Sequence, residues 1–191
     1  MTSEQALVDL LETTTRLKRQ RRTGWVMRGV AEAETIAAHS HGVALIVLAL
    51  LGRIKEPLDH AKALSMAVLH DLPEAVLGDI PTPATWHMAE GTKTQAEDSI
   101  LAEMTKGVAG AENWSPLWRE FEARKTPEAK LVTDADKLDM FLQAMVYERT
   151  GNGDVGAFWD LVDRYPWSFQ ESKDLLSEIS SRRNDPKTLQ W

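Results

Sequence analysis

A stretch of fifteen residues, LHDLPEAVLGDIPTP (69–83), sets four side chains that bind metals or move protons within an otherwise apolar segment. His70 and Asp71 are adjacent, Glu74 follows three residues later, and Asp79 precedes a Pro-Thr-Pro turn. A buried carboxylate is costly unless it is paired with a cation or with hydrogen-bond donors. The segment therefore predicts a site at which imidazole and carboxylate groups meet a positive charge.

Two further segments place titratable groups among core-type residues. They are AAHSHGVAL (37–45), with His39, and VTDADKLDM (132–140), with three aspartates. Two imidazoles and two carboxylates that converged from three helices would satisfy one another by binding one divalent metal ion. Mixed nitrogen and oxygen ligation suits Mn, Fe, Co, Ni or Zn, and the sequence does not choose among these metals.

Helical periodicity alone does not decide which aspartate of the third segment faces this site. The helix carries an apolar stripe formed by Val132, Ala135, Leu142 and Val146. At 100° per residue, Asp139 lies near the middle of that stripe, whereas Asp136 and Asp134 lie at its edges. Periodicity therefore favours Asp139 as the inward-facing group, and we expect Asp134 to face solvent.

The three remaining histidines are weaker candidates. We expect His41 either to contact a metal ligand without binding the metal itself or to lie at the surface, because it points away from His39 around the helix. His60 sits early in its helix among polar neighbours. His87 lies in or beside a loop from which it could approach a pocket.

The rest of the chain is a succession of helical patterns without a convincing strand pair. Pro73 cannot lie inside a helix without loss of a hydrogen bond, so a helix ends at His70-Asp71 and a short one begins at Pro73. Thr126 is a good N-cap for the helix that carries the aspartates. The segment 79–86 is expected to be a loop. The predicted helices are 4–20, 34–53, 56–70, 73–78, 92–107, 115–124, 126–151, 153–165 and 172–184.

Composition narrows the class of protein. The 191 residues carry a net charge of −7 and no cysteine, which argues against nonspecific nucleic-acid binding and excludes disulfides. No apolar run approaches the ~18–20 residues of a membrane span, and the N-terminus lacks a secretory pattern. We expect a cytoplasmic protein.

One basic stretch, RLKRQRR (16–22), runs against the acidic balance of the chain. It is either a solvated helix end or a segment in which some of the basic side chains face a phosphate group.

The spacing of these residues resembles a known family. His39, His70-Asp71 and Asp136 resemble the H…HD…D signature of the HD-domain metal-dependent phosphohydrolases. Five blocks lie in the order and spacing of the HD-domain 5′-deoxynucleotidases, over about residues 5–165. They are LKRQRRTGWVMRGV, AAHSHGVAL, LHDLPEAVLGDIPTP, SPLWREFEARKTPEAKLVTDADKLDMFLQA and the following YE.

The resemblance assigns roles to individual residues. It implies an all-α fold, a single HD-domain helical bundle spanning 1–191 with a core of about 5–165 and a helical extension over 166–191. The implied metal ligands are His39, His70, Asp71 and Asp136, so that Asp139 would instead anchor a core hydrogen bond. Only His87 follows the His-Asp pair, which favours one metal ion over two.

The resemblance also implies the residues that act on the substrate. Glu74 matches a catalytic acidic residue, and Asp79 matches an acidic residue with a catalytic and substrate-binding position at the pocket. Arg22, Trp25 and Thr82 are the other implied substrate-binding residues. In the bacterial pattern the Arg and Trp are adjacent, whereas Thr23 and Gly24 intervene here, so Arg21 remains a rival for Arg22.

The implied activity is the metal-dependent hydrolysis of deoxyribonucleoside 5′-monophosphates by a homodimer that binds neither nucleic acid nor membrane. Two alternatives stay open at this point. One is an HD phosphohydrolase that acts on another nucleotide or phosphate ester, and the other is a metal-bound nucleotide sensor with little catalysis.

Overall fold

Helices of very different length form the protein. A computed structural model describes residues 2–152 and 154–183, and within these ranges there is no β-strand, only an isolated bridge between Arg21 and Thr35. The all-α prediction is confirmed. The helices are α1 Ser3–Thr14, α2 Thr23–Val26, α3 Ile36–Leu51, α4 His60–Leu69, α5 Glu74–Leu77, α6 Thr82–Thr85, α7 Thr92–Met104, α8 Trp114–Ala123, α9 Pro127–Arg149, α10 Gly156–Trp159 and α11 Gln170–Arg182, with 3-10 turns at Thr15–Lys18 and Val162–Arg164.

Capping side chains explain where the long helices begin. The Thr126 hydroxyl accepts a hydrogen bond from the amide of Ala129 at the start of α9, as the sequence predicts. Helix α4 begins at His60, and not at residue 56 as expected, because Asp59 is its N-cap and accepts from the amide of Lys62. Pro57 therefore precedes the helix instead of lying in its first turn.

Helix α9 is the centre of the bundle. It packs against α3, α4, α8 and α11, and its side chains Leu131, Val132, Ala135 and Leu138 are fully buried. Because other helices surround α9, polar residues on several of its sides are buried. Two aspartates of α9, Asp136 and Asp139, face His39 of α3.

Asp134 contradicts the expectation that it faces solvent. It is 1% exposed, and its carboxylate accepts hydrogen bonds from the backbone amides of Ser168 and Phe169 at 3.1–3.2 Å. The segment that leads into α11 covers this side of α9. Asp134 thus anchors the C-terminal helix to the bundle.

Several short elements differ from their predictions. The helix expected over 4–20 ends at Thr14 and is followed by a 3-10 turn, and the one-turn helix α2 was not expected. The segment 79–86, expected to be a loop, contains the single turn α6, whose last residue Thr85 donates its hydroxyl to the carbonyl of Thr82. The continuous helix expected over 153–165 is instead α10 followed by a 3-10 turn; residue 153 of that prediction lies outside the described residues, as do 184–191 of the expected extension. In the described ranges no helix has the length and apolarity that crossing a bilayer requires.

Candidate functional site

Two histidines and two aspartates meet where α3, the end of α4 and α9 come together. Donor atoms of His39, His70 and Asp136 all lie within 4.8 Å of one another. The Nε2 atoms of the two histidines are 3.5 Å apart. Asp136 Oδ1 is 3.3 Å from His39 Nε2, and Asp71 Oδ2 is 3.2 Å from His70 Nε2 and 3.6 Å from His39 Nε2.

The His70 ring is oriented by the end of its own helix. The residue is the C-cap of α4, and its Nδ1 lies 2.8 Å from the carbonyl oxygen of Ala67. Because a carbonyl only accepts, Nδ1 carries a proton, and Nε2 is the ring nitrogen that faces the cluster. The indole of Trp118 donates to the His70 carbonyl at 3.0 Å, which fixes the backbone as well.

His39 is held from behind by Asp139. The ring is fully buried, and its Nδ1 lies 2.7 Å from Asp139 Oδ2. Gly42, one turn along α3, makes this approach possible, since a Cβ there would lie 2.1 Å from Asp139 Oδ1. Asp139 thus takes the core hydrogen bond, while Asp136 lies at the opposite ring nitrogen.

The cluster has the electrostatics of a cation site. Burial and the charge of Arg22 oppose protonation of His39, but the carboxylates of Asp136, Asp139 and Asp71 raise its pKa to about 9. Burial also opposes ionisation of Asp71, yet the imidazoles and Arg22 hold the pKa of that carboxyl well below its usual range. A proton or another cation is drawn to the space between these groups. Two imidazole nitrogens and two carboxylate oxygens are a donor set that fits a divalent transition metal.

Glu74 lies beside this cluster in the first turn of α5. The residue is 4% exposed, and its Oε1 is 3.5 Å from Lys93 Nζ. The other oxygen, Oε2, is buried and has no hydrogen-bond partner among the described residues. Burial, together with the nearby carboxylates of Asp71 and Asp79, raises the pKa of Glu74 to about 9.

The two rival arginines point in different directions. Arg22 Nη1 is 3.4 Å from Asp71 Oδ2, at the edge of the cluster. Arg21 donates to the carbonyl of Ala33 and lies 3.5 Å from Glu32. Burial works against the charge of Arg22, but Asp71 and Asp136 more than compensate and raise its pKa. Only Arg22 of this pair is directed at the cluster.

A cavity of about 400 Å³ adjoins Arg22. Arg22, Trp25, Asp79 and Thr82, the four residues expected to contact substrate, all line it. Asp79 accepts a hydrogen bond from the amide of Thr23, whose hydroxyl donates to the Asp79 carbonyl at 2.8 Å. Much of the remaining wall is apolar, including Met27, Ile80, Trp86, Met140, Phe158 and Leu161.

Trp25 is more buried than a residue that stacks on a ligand would be. Its side chain is 2% exposed, and its indole donates to Glu34 Oε1 at 2.8 Å. The ring packs on Tyr147 and Phe158. Trp25 therefore belongs mainly to the core, with one edge at the cavity.

Sequence reasoning missed two lysines and one tryptophan near the site. Lys137 lies 3.0 Å from Asp136 Oδ2 and lines the cavity; its place next to Asp136 in DADKLD was an available signal. No pattern in the sequence indicates that Lys93 lies near Glu74, because the two residues are far apart along the chain.

Trp86, 74% exposed, lines the cavity, whereas its neighbour His87 is not among the lining residues. His41 and His60 are also exposed and lie outside the cluster.

Comparisons with known proteins agree with this arrangement. A family model described as HD domain matches residues 14–166. The 5′-deoxynucleotidase HDDC2 of Dictyostelium discoideum is 36% identical over 141 residues, which cover 70% of this chain and 73% of that protein. The one from Bos taurus is 32% identical over 182 residues, 93% and 86% of the two chains. A solved structure from Pyrococcus horikoshii OT3 matches with a TM-score of 0.79 and 36% identity over 91% of this chain and 98% of that one. The chain belongs to the HD domain family.

Proposed function

We propose that this protein hydrolyses deoxyribonucleoside 5′-monophosphates to deoxyribonucleosides and phosphate. The observation that carries the proposal is that Arg22 lies 3.4 Å from Asp71 in the cluster of His39, His70, Asp71 and Asp136, and also lines a partly apolar cavity. The cluster and Arg22 would bind the phosphate, and the cavity would hold the sugar and the base. The relatives named 5′-deoxynucleotidase support the same reaction.

The HD domain is a divalent-metal-dependent fold, and the cluster offers it a group of ligands. We propose that His39, His70, Asp71 and Asp136 hold a single ion of Co, Mn, Fe, Ni or Zn. When bound, such an ion supplies charge that stabilises the phosphoryl group and acidifies a water molecule. Asp139 and the Ala67 carbonyl keep the two rings oriented toward it.

Glu74 is the residue to which we assign proton transfer. Phosphate monoester hydrolysis is extremely slow without a catalyst, and a positioned acid or base lowers its barrier. Oε2 is the oxygen available for this role, because Oε1 is next to Lys93 while Oε2 has no partner in the described part of the chain. The proton is taken from the attacking water or given to the departing 5′-oxygen.

Arg22 would bind the phosphate, because its planar donors match phosphate oxygens and its charge persists at any working pH. Asp79 matches a catalytic and substrate-binding residue of the family pattern. Its carboxylate would bind the sugar 3′-hydroxyl. Thr82, which is exposed on the cavity wall, would donate to the phosphate. The edge of the Trp25 ring that reaches the cavity would pack against the sugar or the base.

The remaining proposals concern the whole protein. We propose one HD domain over 1–191, with a core of about 5–165, that acts as a homodimer without nucleic acid. Leu45 and Leu48 are more than half exposed on one face of α3 and are the kind of apolar surface that a dimer contact would cover. A chain without cysteine suits a reducing compartment, and we propose the cytoplasm.

The test is phosphate release from dAMP, TMP, AMP and dATP by metal-stripped protein, with and without added Co²⁺ or Mn²⁺. We expect metal-dependent release from dAMP and TMP and little from AMP. Release from dATP alone would point to a triphosphate substrate. Tight nucleotide binding without release from any of the four would overturn the catalytic proposal and support a sensor.

A further inference from the structure

Lys93 lies between two buried glutamates, one of which, Glu74, belongs to the proposed active site. Its Nζ lies 3.5 Å from Glu74 Oε1 and 2.5 Å from Glu97 Oε1. The side chains of the two glutamates are 5% and 6% exposed, and that of the lysine is 30% exposed. One ammonium group therefore contacts two glutamate side chains that have little contact with water.

The group connects two helices. Glu74 belongs to the single turn α5, whereas Lys93 and Glu97 lie four residues apart on α7, which packs against α5. The i,i+4 pair holds the ammonium on the side of α7 that faces α5. A single helical turn has little stability of its own, so contacts from α7 are needed to hold Glu74 in one orientation.

We propose that Lys93, held by Glu97, is a positioning residue that orients Glu74 for proton transfer. The inference rests on the proposed function. The ammonium of Lys93 contacts Oε1 at 3.5 Å, and Oε2 has no partner among the described residues, so we assign the proton transfer to Oε2. Without the ammonium, Glu74 would be free to adopt other rotamers, and the reaction geometry would be lost although the metal ligands and the cavity were intact.

The test compares Lys93→Met with Lys62→Met. Lys62 is a matched control, because it also bridges two carboxylates, those of Glu120 and Glu128, and has a side chain 26% exposed, but it lies outside the site. For Lys93→Met we expect kcat to fall by about 10- to 100-fold while KM for dAMP changes by less than about threefold. Metal content should be unchanged. Lys62→Met should keep kcat within about twofold of the unmodified protein.

Two further variants separate positioning from a general loss of structure. Lys93→Arg keeps the cation and should recover most of kcat. In a Glu74→Gln background, Lys93→Met should reduce the remaining rate by less than about twofold, because residues that act as a unit are not additive.

An active protein whose kcat is unaffected by Lys93→Met would overturn this inference and leave the proposed function standing. Equal losses in Lys93→Met and Lys62→Met, or full additivity with Glu74→Gln, would also overturn it. An unmodified protein that released no phosphate from any nucleotide would overturn both proposals.

Discussion

The donor cluster and the adjoining cavity are built in different ways. The cluster takes its side chains from the long helices α3 and α9 and from the end of α4. The cavity is lined mainly by α2, α6, α10 and the turns beside them, each helix only one turn long. A one-turn helix is not stable alone, so these walls depend on the bundle that they cover.

The two regions also differ in how firmly their side chains are held. In the cluster, His39 is fixed by Asp139 and His70 by the Ala67 carbonyl, and both rings are buried. On the cavity wall, Met27 is 59% exposed and Trp86 74% exposed. We infer that the donor cluster is preorganised, whereas the exposed part of the cavity wall is held less firmly. Substitutions in the cluster should therefore have much larger effects than those in the cavity.

The largest effect is expected for Asp71→Ala. Removal of a carboxylate that lies 3.2 Å from His70 Nε2 takes away one of the four proposed ligands, so both bound metal and phosphate release should fall to background. Elemental analysis of the purified protein and a phosphate assay with dAMP measure the two effects. The control is Asp98→Ala, which removes an exposed pair with Arg119 and should change neither. Full metal content in Asp71→Ala would remove this residue from the ligand set.

Glu74→Ala should separate chemistry from metal binding. We expect turnover to fall by about 10²- to 10⁴-fold, the usual contribution of a general acid or base, with metal content unchanged. Glu103→Ala, an exposed position on α7, serves as the control. Near-normal rates with dAMP or TMP would show that the catalytic assignment of Glu74 is wrong.

Gly42→Ala tests whether the cluster depends on the support behind it. The added Cβ would meet Asp139 Oδ1 at 2.1 Å, so Asp139 must move away from His39. We expect metal affinity to weaken by about 10- to 100-fold and the free energy of unfolding to fall by about 1–3 kcal/mol. Gly52→Ala, at the end of the same helix, has its nearest neighbour at 3.7 Å and should bind metal normally. Equal affinity in the two variants would argue against a role for Asp139.

Arg22→Lys tests the border between the two regions. Lysine keeps the charge but loses the planar donors, so KM for dAMP should rise by about tenfold. Arg21→Lys should leave KM unchanged, because Arg21 interacts with Ala33 and Glu32 and not with the cluster. If Arg21→Lys had the larger effect, the phosphate would be bound elsewhere than we propose.

Trp86→Ala should have the smallest effect. An exposed ring that stacks on a base contributes at the lower end of about 1–3 kcal/mol, so we expect KM to rise by about fivefold with kcat unchanged. Trp86→Phe keeps an aromatic face and should restore most of the affinity. A loss in kcat as large as that of Glu74→Ala would contradict the view that the cavity wall is the adaptable region.

Several features of the site could be predicted because they are local. Pro73 and Gly78 delimit the short helix that begins with Glu74, since proline cannot continue a helix and Gly78 has a φ of +80°. Thr126 caps α9 as expected. The inward position of Asp139 also followed from helical periodicity. Each of these predictions uses residues within a few turns of one another.

Two features that the sequence did not predict involve contacts between distant segments. Asp134 lies at the edge of the apolar stripe of α9, and only the packing of the segment around Ser168 makes it buried. Helix α6 has few local signals, and no periodicity in the sequence connects Lys93 with Glu74.

The sequence by itself determined that the protein is helical, because proline, caps and apolar periodicity act over short distances, and it indicated His39, His70 and the nearby carboxylates as candidate site residues. Only the tertiary structure decided which atoms face one another. Asp136 and Asp139 lie on opposite sides of the His39 ring, Arg22 and not Arg21 points at Asp71, and Lys93 reaches Glu74. These pairings depend on how α3, α4, α7 and α9 pack against one another. That packing results from many contacts between residues that are far apart in the sequence.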